Sequence, residues 1–408
     1  MSDERDFYTD DKPFRDLAMN WEMASRLCFA DDDFYKRPVK DTHPFVREKA
    51  LDWYDEEDKV LTYFYAPADQ VRRRMEVQGY TSERCRAVWE REYARHIARA
   101  EELVASGDYP ELAKEIAEQK GLTFETWQER QSAAGVDEFM RFGGVHIFNF
   151  IDSFAALALY IDVYKPEAIW TDFTDYLDGY DPSLSIRENL DAQPVDYEFD
   201  FIEASGNVLI LTEGTSDTKI LSKAIRAMYP EFADMYEFLD FEEFKIEGGV
   251  SMVTKMIKAF AGVRMTQKTI GLFDNDAAGW EQKVLLDRMT NLPPSIRTMV
   301  LPDVEIGKNY PTLGPEGLRN MDINGSACSI ELFLGRDALS DQNGNLRPVR
   351  WTAWNKVAGK YQGELENKHA ATQHFLDAMK AGGDPSSLRA QFPEMNDLLN
   401  RIFRAFHD

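Results

Sequence analysis

Hydrophobic residues after position 206 occur in short runs that alternate with segments of helical periodicity. The runs are typical of strands buried on both faces, and the segments between them are typical of helices that pack on such strands. The predicted strands are NVLILTE, EEFKIEGG, KTIGLFDND and SIRTMVLP, and the predicted helices are residues 216–229, SMVTKMIKAFAG and AAGWEQKVLLDRM. This alternation predicts a mostly parallel sheet with flanking helices.

The first 200 residues are instead rich in helix formers and aromatic residues. Trp89, Tyr93 and Ile97 recur at helical spacing on one face of a segment that ends at Gly107, and YPELAKEIAEQKG predicts a second helix that ends at Gly121. Residues 178–206 are rich in turn signals and predict a domain boundary near residue 200. After residue 329, SIELFLG and GELENKHAATQHFLDAMKAGG are interpreted as helices.

The pattern therefore divides the chain into three predicted regions. Residues 1–200 form a mainly helical domain, residues 201–340 an α/β domain, and residues 341–408 a C-terminal helical extension, which is expected to complete the functional site of the α/β domain. The fold class is α/β with additional helical regions. We find no internal repeat.

Composition adds limits on partners and location. The 408 residues are 44% hydrophobic with a net charge of −25, so the protein is globular, and any nucleic acid must contact a local basic patch, a bound metal or a partner protein. The three cysteines are far apart and form no CxxC, which excludes a zinc ribbon. The acidic N-terminus is unlike a signal peptide, and the apolar residues 146–164 contain acids, so we expect a cytoplasmic protein without a membrane span.

Acidic side chains follow two of the predicted strands directly. Glu213 ends the first strand, and Asp274 and Asp276 end a later one, while Gly214 and Gly279 would allow close approach of the backbone. Because the carboxyl ends of parallel strands meet at one edge of a sheet, these acids can converge in one crevice. Carboxylates at that density repel each other and suit Mg²⁺ or Mn²⁺. The alternative is that acids such as Asp217 and Asp276 cap helices.

A strand that ends in Glu-Gly, followed by a strand that ends in Asp-x-Asp, resembles the Toprim domain, and the spacing of Asp217 resembles its nuclease branch. In OLD-family Toprim nucleases a Ser-x-Asp/Glu pair and then a lysine follow. Here Ser329 and Glu331 match the pair. Lys368 matches the lysine, with Lys360 and Lys356 as competitors.

The stretches VLTYFYAPADQVRRRMEVQGYTSERCRAVWE and AIWTDFTDYLDGYDP resemble the N-terminal region of HEPN/Toprim-associated proteins of bacterial defence.

Together, the two resemblances imply a metal-dependent endonuclease that cleaves DNA or RNA as an antiphage effector. Two Mg²⁺ or Mn²⁺ ions would be held by six residues: Glu213, Asp217, Asp274, Asp276, Ser329 and Glu331. Glu213 and Lys368 would have catalytic roles.

Nucleic acid and a protein are the expected partners. Four basic residues near the acids in sequence are predicted to contact the nucleic-acid backbone: Lys255, Lys258, Arg264 and Lys268. The chain contains no GxxxxGK[ST] motif, so an ATPase or sensor would come from a partner protein, and a homo-oligomer remains open.

Two other functions remain as alternatives. The Toprim fold could be a catalytically silent regulatory or sensing module. HEPN ribonucleases use Arg-x4–6-His without metal, and Arg91 and His96 match that pattern. Their five-residue offset places them roughly 140° apart around a helix, which disfavours a shared site.

Overall fold

A computed structural model of the 408-residue chain describes residues 7–10, 12–14, 25, 27–54, 56–107, 120–134, 153–174, 207–239 and 248–407. The chain divides into two compact units, which we call the first unit (Met1–Ser205 with Phe406–Asp408) and the second unit (Gly206–Ala405). The boundary predicted near residue 200, the helix predicted for YPELAKEIAEQKG and most of the strand EEFKIEGG lie outside the described residues.

The first unit contains a five-stranded antiparallel sheet in the order β2-β1-β5-β4-β3. Its strands are β1 Phe7–Thr9, β2 Lys12–Phe14, β3 Phe34–Pro38, β4 Val60–Pro67 and β5 Ala168–Asp172. The interior strand β4 is apolar on both faces, because Phe64 packs into one core cluster and Tyr63 into another with Trp170. This sheet was not predicted from the sequence, although the helices of the unit contain more of its described residues than the strands do.

Helices account for much of the rest of the first unit. They are α1 Pro44–Tyr54, α2 Ala68–Val77, α3 Ser82–Ser106, α4 Phe124–Ala134 and α5 Ser153–Tyr164. The Thr81 hydroxyl caps α3, and Gly107 ends it in the left-handed region, which confirms the predicted end of this helix. Trp89 of α3 stacks on Tyr93 and packs against Trp127 of α4.

The second unit is built on a parallel sheet in the order β10-β8-β6-β7, which confirms the predicted parallel sheet with flanking helices. Its strands are β6 Val208–Leu211, β7 Tyr236–Phe238, β8 Thr269–Phe273 and β10 Ile296–Val300. The helices between them are α6 Thr215–Met228, α7 Val250–Gly262 and α8 Ala277–Asp287. A Cβ on Gly271 would lie 2.2 Å from Ile257 Cδ1, so α7 packs closely on β8 only because this residue is glycine.

Residues 305–405 add a second sheet and further helices to the second unit. The four-stranded sheet has the order β12-β11-β14-β15, and the short strand β9 Asn275–Asp276 pairs with β13 Ala327–Cys328. The remaining elements are β11 Tyr310–Gly314, β12 Gly317–Met321, α9 Arg336–Leu339, β14 Val349–Asn355, β15 Lys360–Leu365, α10 Lys368–Ala381, α11 Pro385–Gln391 and α12 Pro393–Phe403.

The predicted helical extension at 341–408 is therefore helical only in its later part. The β14–β15 hairpin occupies its first part, because VRWTAWN and KYQGEL are rich in strand formers and Gly359 supplies the positive φ of the turn between them. The helix expected to open near Gly363 begins at Lys368. The segment SIELFLG contains only a short 3₁₀ turn, Ile330–Phe333.

Candidate metal and catalytic site

Two neighbouring parallel strands deliver acidic side chains to the same end of the sheet. Glu213 lies two residues beyond β6, and Asp274 directly follows β8. Leu211 pairs with Gly271 in the register of these strands, so the segments that follow them run side by side. The backbone N–H of Asp274 donates to Glu213 Oε1 at 3.1 Å. The structure thus brings together the two strand ends that the sequence singled out.

Glycines hold the backbone close around this pair. The N–H of Gly249 donates to the Glu213 carbonyl at 2.6 Å, and a Cβ on Gly248 would lie 2.6 Å from the same oxygen. A Cβ on Gly279 would lie 2.2 Å from the Asp274 carbonyl, as expected from the sequence. Gly214 has an extended backbone and open space around it, so the expectation that its size matters is not met.

Two further carboxylates belong to the same group. Asp217, in the first turn of α6, accepts hydrogen bonds from the backbone N–H of Gly214 and the hydroxyl of Ser216. Glu331 is 4% exposed and accepts a hydrogen bond from the Ser329 hydroxyl at 2.6 Å. Burial is the main cause that raises the pKa of Asp217, and the negative charge of Glu331 adds to the rise, so the Ser-x-Glu segment, far away in sequence, lies near enough to act on this acid.

Burial and mutual repulsion raise the pKa values of these acids together. Burial raises the pKa of Glu213 to about 7, and the charges of Asp276 and Asp217 add to the rise. Burial raises the pKa of Asp217 to about 6. The pKa of Asp274 rises well above its usual value, first through burial and then through its four acidic neighbours. We call the five residues the carboxylate cluster: Glu213, Asp217, Asp274, Asp276 and Glu331.

Asp276 has a structural role in addition to its place in the cluster. Its Oδ1 accepts the N–H of Gly279 at 2.7 Å and caps α8, as the helix-cap alternative expected. Its Oδ2 accepts a hydrogen bond from Gln362 Nε2 of β15 at 2.7 Å. Burial raises the pKa of Asp276 as well. A metal could therefore replace Gln362 at this carboxylate without ending the cap.

The donor set fits a hard divalent cation in its chemistry, although its oxygens now contact protein donors. Across the residues that the structure describes, no three His, Cys, Asp or Glu side chains are arranged to hold a metal ion as they stand. Glu213, Asp217 and Glu331 each accept a hydrogen bond from a nearby backbone or hydroxyl group. Buried carboxylates that raise one another's pKa are stabilised by added positive charge, and oxygen ligands suit Mg²⁺ or Mn²⁺.

The two competing lysines have different neighbours. Lys368 is the exposed first residue of α10, and its positive charge opposes the rise in the pKa of Asp217. The ammonium of Lys360 on β15 lies beside Gly325, 2.7 Å from the point where a Cβ of that residue would be. Asn275 Oδ1 lies 3.8 Å from the same point. Lys356 is exposed in the hairpin turn. The structure therefore places Lys368 near the acid that the proposed role requires.

The four predicted nucleic-acid contacts do not form one patch at the site. Lys268 is only 8% exposed and precedes β8, so a whole strand, about 20 Å long, separates it from Asp274. Arg264 follows the C-terminal end of α7, whereas Gly249 at the other end contacts Glu213. Lys255 and Lys258 are exposed along α7. These residues are close to the acids in sequence, but the length of β8 and α7 places Lys268 and Arg264 far from them in space.

One comparison with known proteins identifies a related domain. Residues 32–198 match the family model described as HEPN/Toprim N-terminal domain 1. The match supports a HEPN/Toprim-associated protein, as the N-terminal resemblance predicted, and it ends before the second unit begins. No curated protein and no solved structure matches the chain. Among the described residues, no helix has the length and apolar character needed to cross a membrane.

The alternative ribonuclease pair lies within the residues that match HEPN/Toprim N-terminal domain 1. Arg91 Nε donates to Glu92 Oε1 at 2.8 Å, and Arg95 binds the same carboxylate. The buried Glu92 carboxylate therefore offsets the positive charge of Arg91. Arg91 and His96 also lie five residues apart on α3 and so on different faces of this helix. The geometry does not favour joint action of Arg91 and His96.

If the protein cleaves nucleic acid, we expect His96→Ala to retain cleavage within about twofold of the wild-type rate, because Glu92 engages Arg91 and the five-residue offset separates Arg91 from His96 around the helix. Hydrolysis of total tRNA by the two proteins should be compared at equal concentration. The HEPN-type alternative would be supported if His96→Ala abolished RNA cleavage while Asp274→Asn did not.

Proposed function

We propose that the second unit is a Toprim nuclease that hydrolyses phosphodiester bonds of nucleic acid with the help of a divalent metal. The observation that carries the proposal is the carboxylate cluster, in which two adjacent strand ends and the Ser-x-Glu segment bring together acids that repel one another and are partly or fully buried. Such a group of acids is unfavourable in a folded protein unless a cation offsets its charge. The match to HEPN/Toprim N-terminal domain 1 suggests a nuclease-type role.

The residues of the chain have separate tasks in this proposal. Glu213, Asp217, Asp274, Asp276 and Glu331, with Ser329, would hold one or two Mg²⁺ or Mn²⁺ ions, which when bound would supply Lewis-acid activation of water and of the leaving oxygen. The N–H of Asp274 fixes the Glu213 carboxylate, and the Ser329 hydroxyl fixes Glu331. Lys368 supplies positive charge beside Asp217, where a phosphate could be neutralised.

A test of the metal site follows from the raised pKa values. Because the folded pKa values of Glu213 and Asp217 (about 7 and 6) lie above the ordinary values of about 4, the native state keeps protons that the unfolded state has lost. The associated stability is fully present below about pH 4 and decreases as the pH rises through 6 to 7. Without metal, the protein should lose stability over this range.

Asp274→Asn removes one of the repelling charges and should counter this loss. At pH 7.5 in EDTA we expect this variant to be more stable than the wild type by roughly 1–3 kcal/mol, and the difference should vanish near pH 4. Added Mn²⁺ should raise the melting temperature of the wild type and leave that of the variant nearly unchanged. Asp377→Asn, at an exposed position on α10, is the control. A wild type that is insensitive to Mn²⁺, or a variant less stable in EDTA, would contradict the metal site.

The biological role we propose is that of an effector in antiphage defence, restrained by a partner protein that acts as an ATPase or sensor. Support comes from the family match and from the absence of a GxxxxGK[ST] motif in the sequence. Purification of the tagged chain, expressed with its neighbouring genes, should bring down a second protein in stoichiometric amount. Full and rapid activity of the pure chain at physiological salt would count against a restraining partner.

A further inference from the structure

The negative charge of the chain is unevenly divided between its two units. Residues 206–405 contain 23 Lys and Arg against 26 Asp and Glu, whereas the other 208 residues contain 24 against 46. Five of the 26 acids belong to the carboxylate cluster, so the remaining surface of the second unit has a slight excess of positive charge. The total of −25 therefore does not oppose contact between this unit and nucleic acid.

A cleft beside the carboxylate cluster collects several of these cations. It has a volume of about 500 Å³ and follows β10, which is the edge strand of the parallel sheet. Trp280 and Lys283 of α8, residues 298–303, and Arg401 and Arg404 at the end of α12 form its walls. Three lining residues are cationic and one, Asp303, is anionic. A polyanion with an apolar group is the complementary ligand.

Trp280 is held in place with its ring open to solvent. Its indole Nε1 donates to Asn275 Oδ1 at 2.7 Å, and Asn275 Nδ2 in turn donates to Asp303 Oδ1 at 2.8 Å. Asn275 is buried between Asp274 and Asp276, so the ring is anchored to the chain segment that carries the cluster. The side chain is nevertheless 44% exposed. An aromatic ring with a fixed orientation and nearly half of its surface exposed is suited to stacking on a base.

The cations of the cleft are available to a phosphate. Lys283 pairs with Asp287 and Arg401 with Asp397 on the same helices, and such partly exposed i,i+4 pairs contribute little stability. Arg404 is exposed on the last turn of the unit. A phosphate could therefore bind these groups at small cost, and each contact would release counterions from the nucleic acid.

We propose that this cleft binds an unpaired nucleic-acid strand. One base stacks on Trp280, phosphates contact Lys283, Arg401 and Arg404, and the strand continues past Asn275 to the carboxylate cluster. The inference rests on the proposed nuclease function and adds to it the class of substrate. A double helix keeps its bases stacked inside and offers none to Trp280, so the cleft selects single strands, ends or unpaired loops.

The test is a binding measurement that does not require cleavage. Fluorescence anisotropy of a labelled 12-nucleotide oligothymidylate, and of the same oligonucleotide in a duplex, is recorded with the full-length chain in EDTA over a range of salt. We expect the single strand to bind at least tenfold more tightly than the duplex. Trp280→Ala should weaken single-strand binding by about 5- to 150-fold, and Trp280→Phe should retain most of it. Arg404→Ala should reduce the salt slope by about 0.7.

Matched controls lie on the same unit outside the cleft. Trp354 on β14 is 51% exposed and is the control position for Trp280. Arg288 at the end of α8 is exposed and is the control position for Arg404. Alanine variants of both should bind like the wild type. Equal effects of Trp280→Ala and Trp354→Ala, or equal affinity for duplex and single strand, would overturn the proposal. The proposal would also be overturned if the protein self-associated and Thr298→Pro abolished the association, because a second protein chain would then pair with the edge strand β10.

The binding result is separable from the nuclease proposal. If the oligonucleotide binds as expected and no metal supports cleavage, the cleft assignment stands and the nuclease proposal fails. If cleavage depends on Glu213 but Trp280→Ala leaves both binding and cleavage unchanged, the cleft assignment fails alone.

Discussion

Glu213→Gln is expected to lower the rate of metal-dependent cleavage by about a thousandfold or more, while the fold survives. The change keeps the shape of the side chain and its hydrogen bond with the N–H of Asp274, but it removes the negative charge that a metal would bind. Metal ions contribute several kcal/mol to such reactions, and each 1.36 kcal/mol is a factor of ten in rate. Steady-state cleavage at saturating Mn²⁺ measures the loss.

Stability distinguishes this result from simple unfolding. Glu213 is half-buried and its pKa is raised, so a neutral glutamine should leave the melting temperature in EDTA equal to or above that of the wild type. Glu364→Gln, at an exposed position on β15, should change neither the rate nor the melting temperature. If Glu213→Gln cleaved at a rate near that of the wild type, Glu213 would have no part in the chemistry.

Lys368→Ala is expected to reduce turnover by about 10²–10³, the effect of removing one donor positioned for charge in the transition state. Lys368 opens α10, and its charge already acts on Asp217, so its loss would remove the cation on that side of the cluster. Single-turnover cleavage and Mn²⁺ calorimetry should be measured on the same preparation. The affinity for Mn²⁺ should change little, because an ammonium is not a metal ligand.

Lys360→Ala is the matched comparison, since this lysine lies beside Gly325 and is not among the groups that act on the pKa of Asp217. We expect it to change turnover much less. Lys368→Arg should recover part of the lost rate, because the positive charge is kept. Equal losses in the two alanine variants, or a larger loss in Lys360→Ala, would reassign the catalytic lysine without affecting the carboxylate cluster.

The parallel sheet was predictable from the sequence because its signals are local. Strands β6, β8 and β10 are short apolar runs, and the acids that follow them mark the edge where a site can form. The convergence of Glu213 and Asp274 then follows from parallel pairing alone. The resemblance to Toprim nucleases added Ser329 and Glu331, which no local pattern connects to this edge.

The antiparallel sheets were missed for two reasons. Strand β1 pairs with β5 more than 150 residues away, and nothing in either segment specifies its partner. In the β14–β15 hairpin a register shift between Trp351 and Ala353 breaks the strict alternation of a strand. The positions of Lys268 and Arg264 were also wrong, because the length of β8 and of α7 carries them away from the acids.

Gly248 and Gly249 lie against the backbone of Glu213, a role that was not predicted from the sequence. They do not match a phosphate-binding loop, and that comparison left them without a role. In the structure they enclose the carbonyl of Glu213. Two adjacent glycines before a helix indicate close approach of another backbone, but they do not reveal which one.

The most direct test is incubation of the purified full-length protein with supercoiled plasmid and with total tRNA in Mg²⁺, Mn²⁺ or EDTA. We expect cleavage of at least one substrate with metal, none in EDTA, recovery when excess Mn²⁺ is added back, and a rate at least about a thousandfold lower for Glu213→Gln with either metal. Undiminished cleavage in EDTA would contradict a metal-dependent nuclease. Absence of cleavage by the wild type with both metals, alone and with its co-purified partner, would instead favour a silent Toprim module.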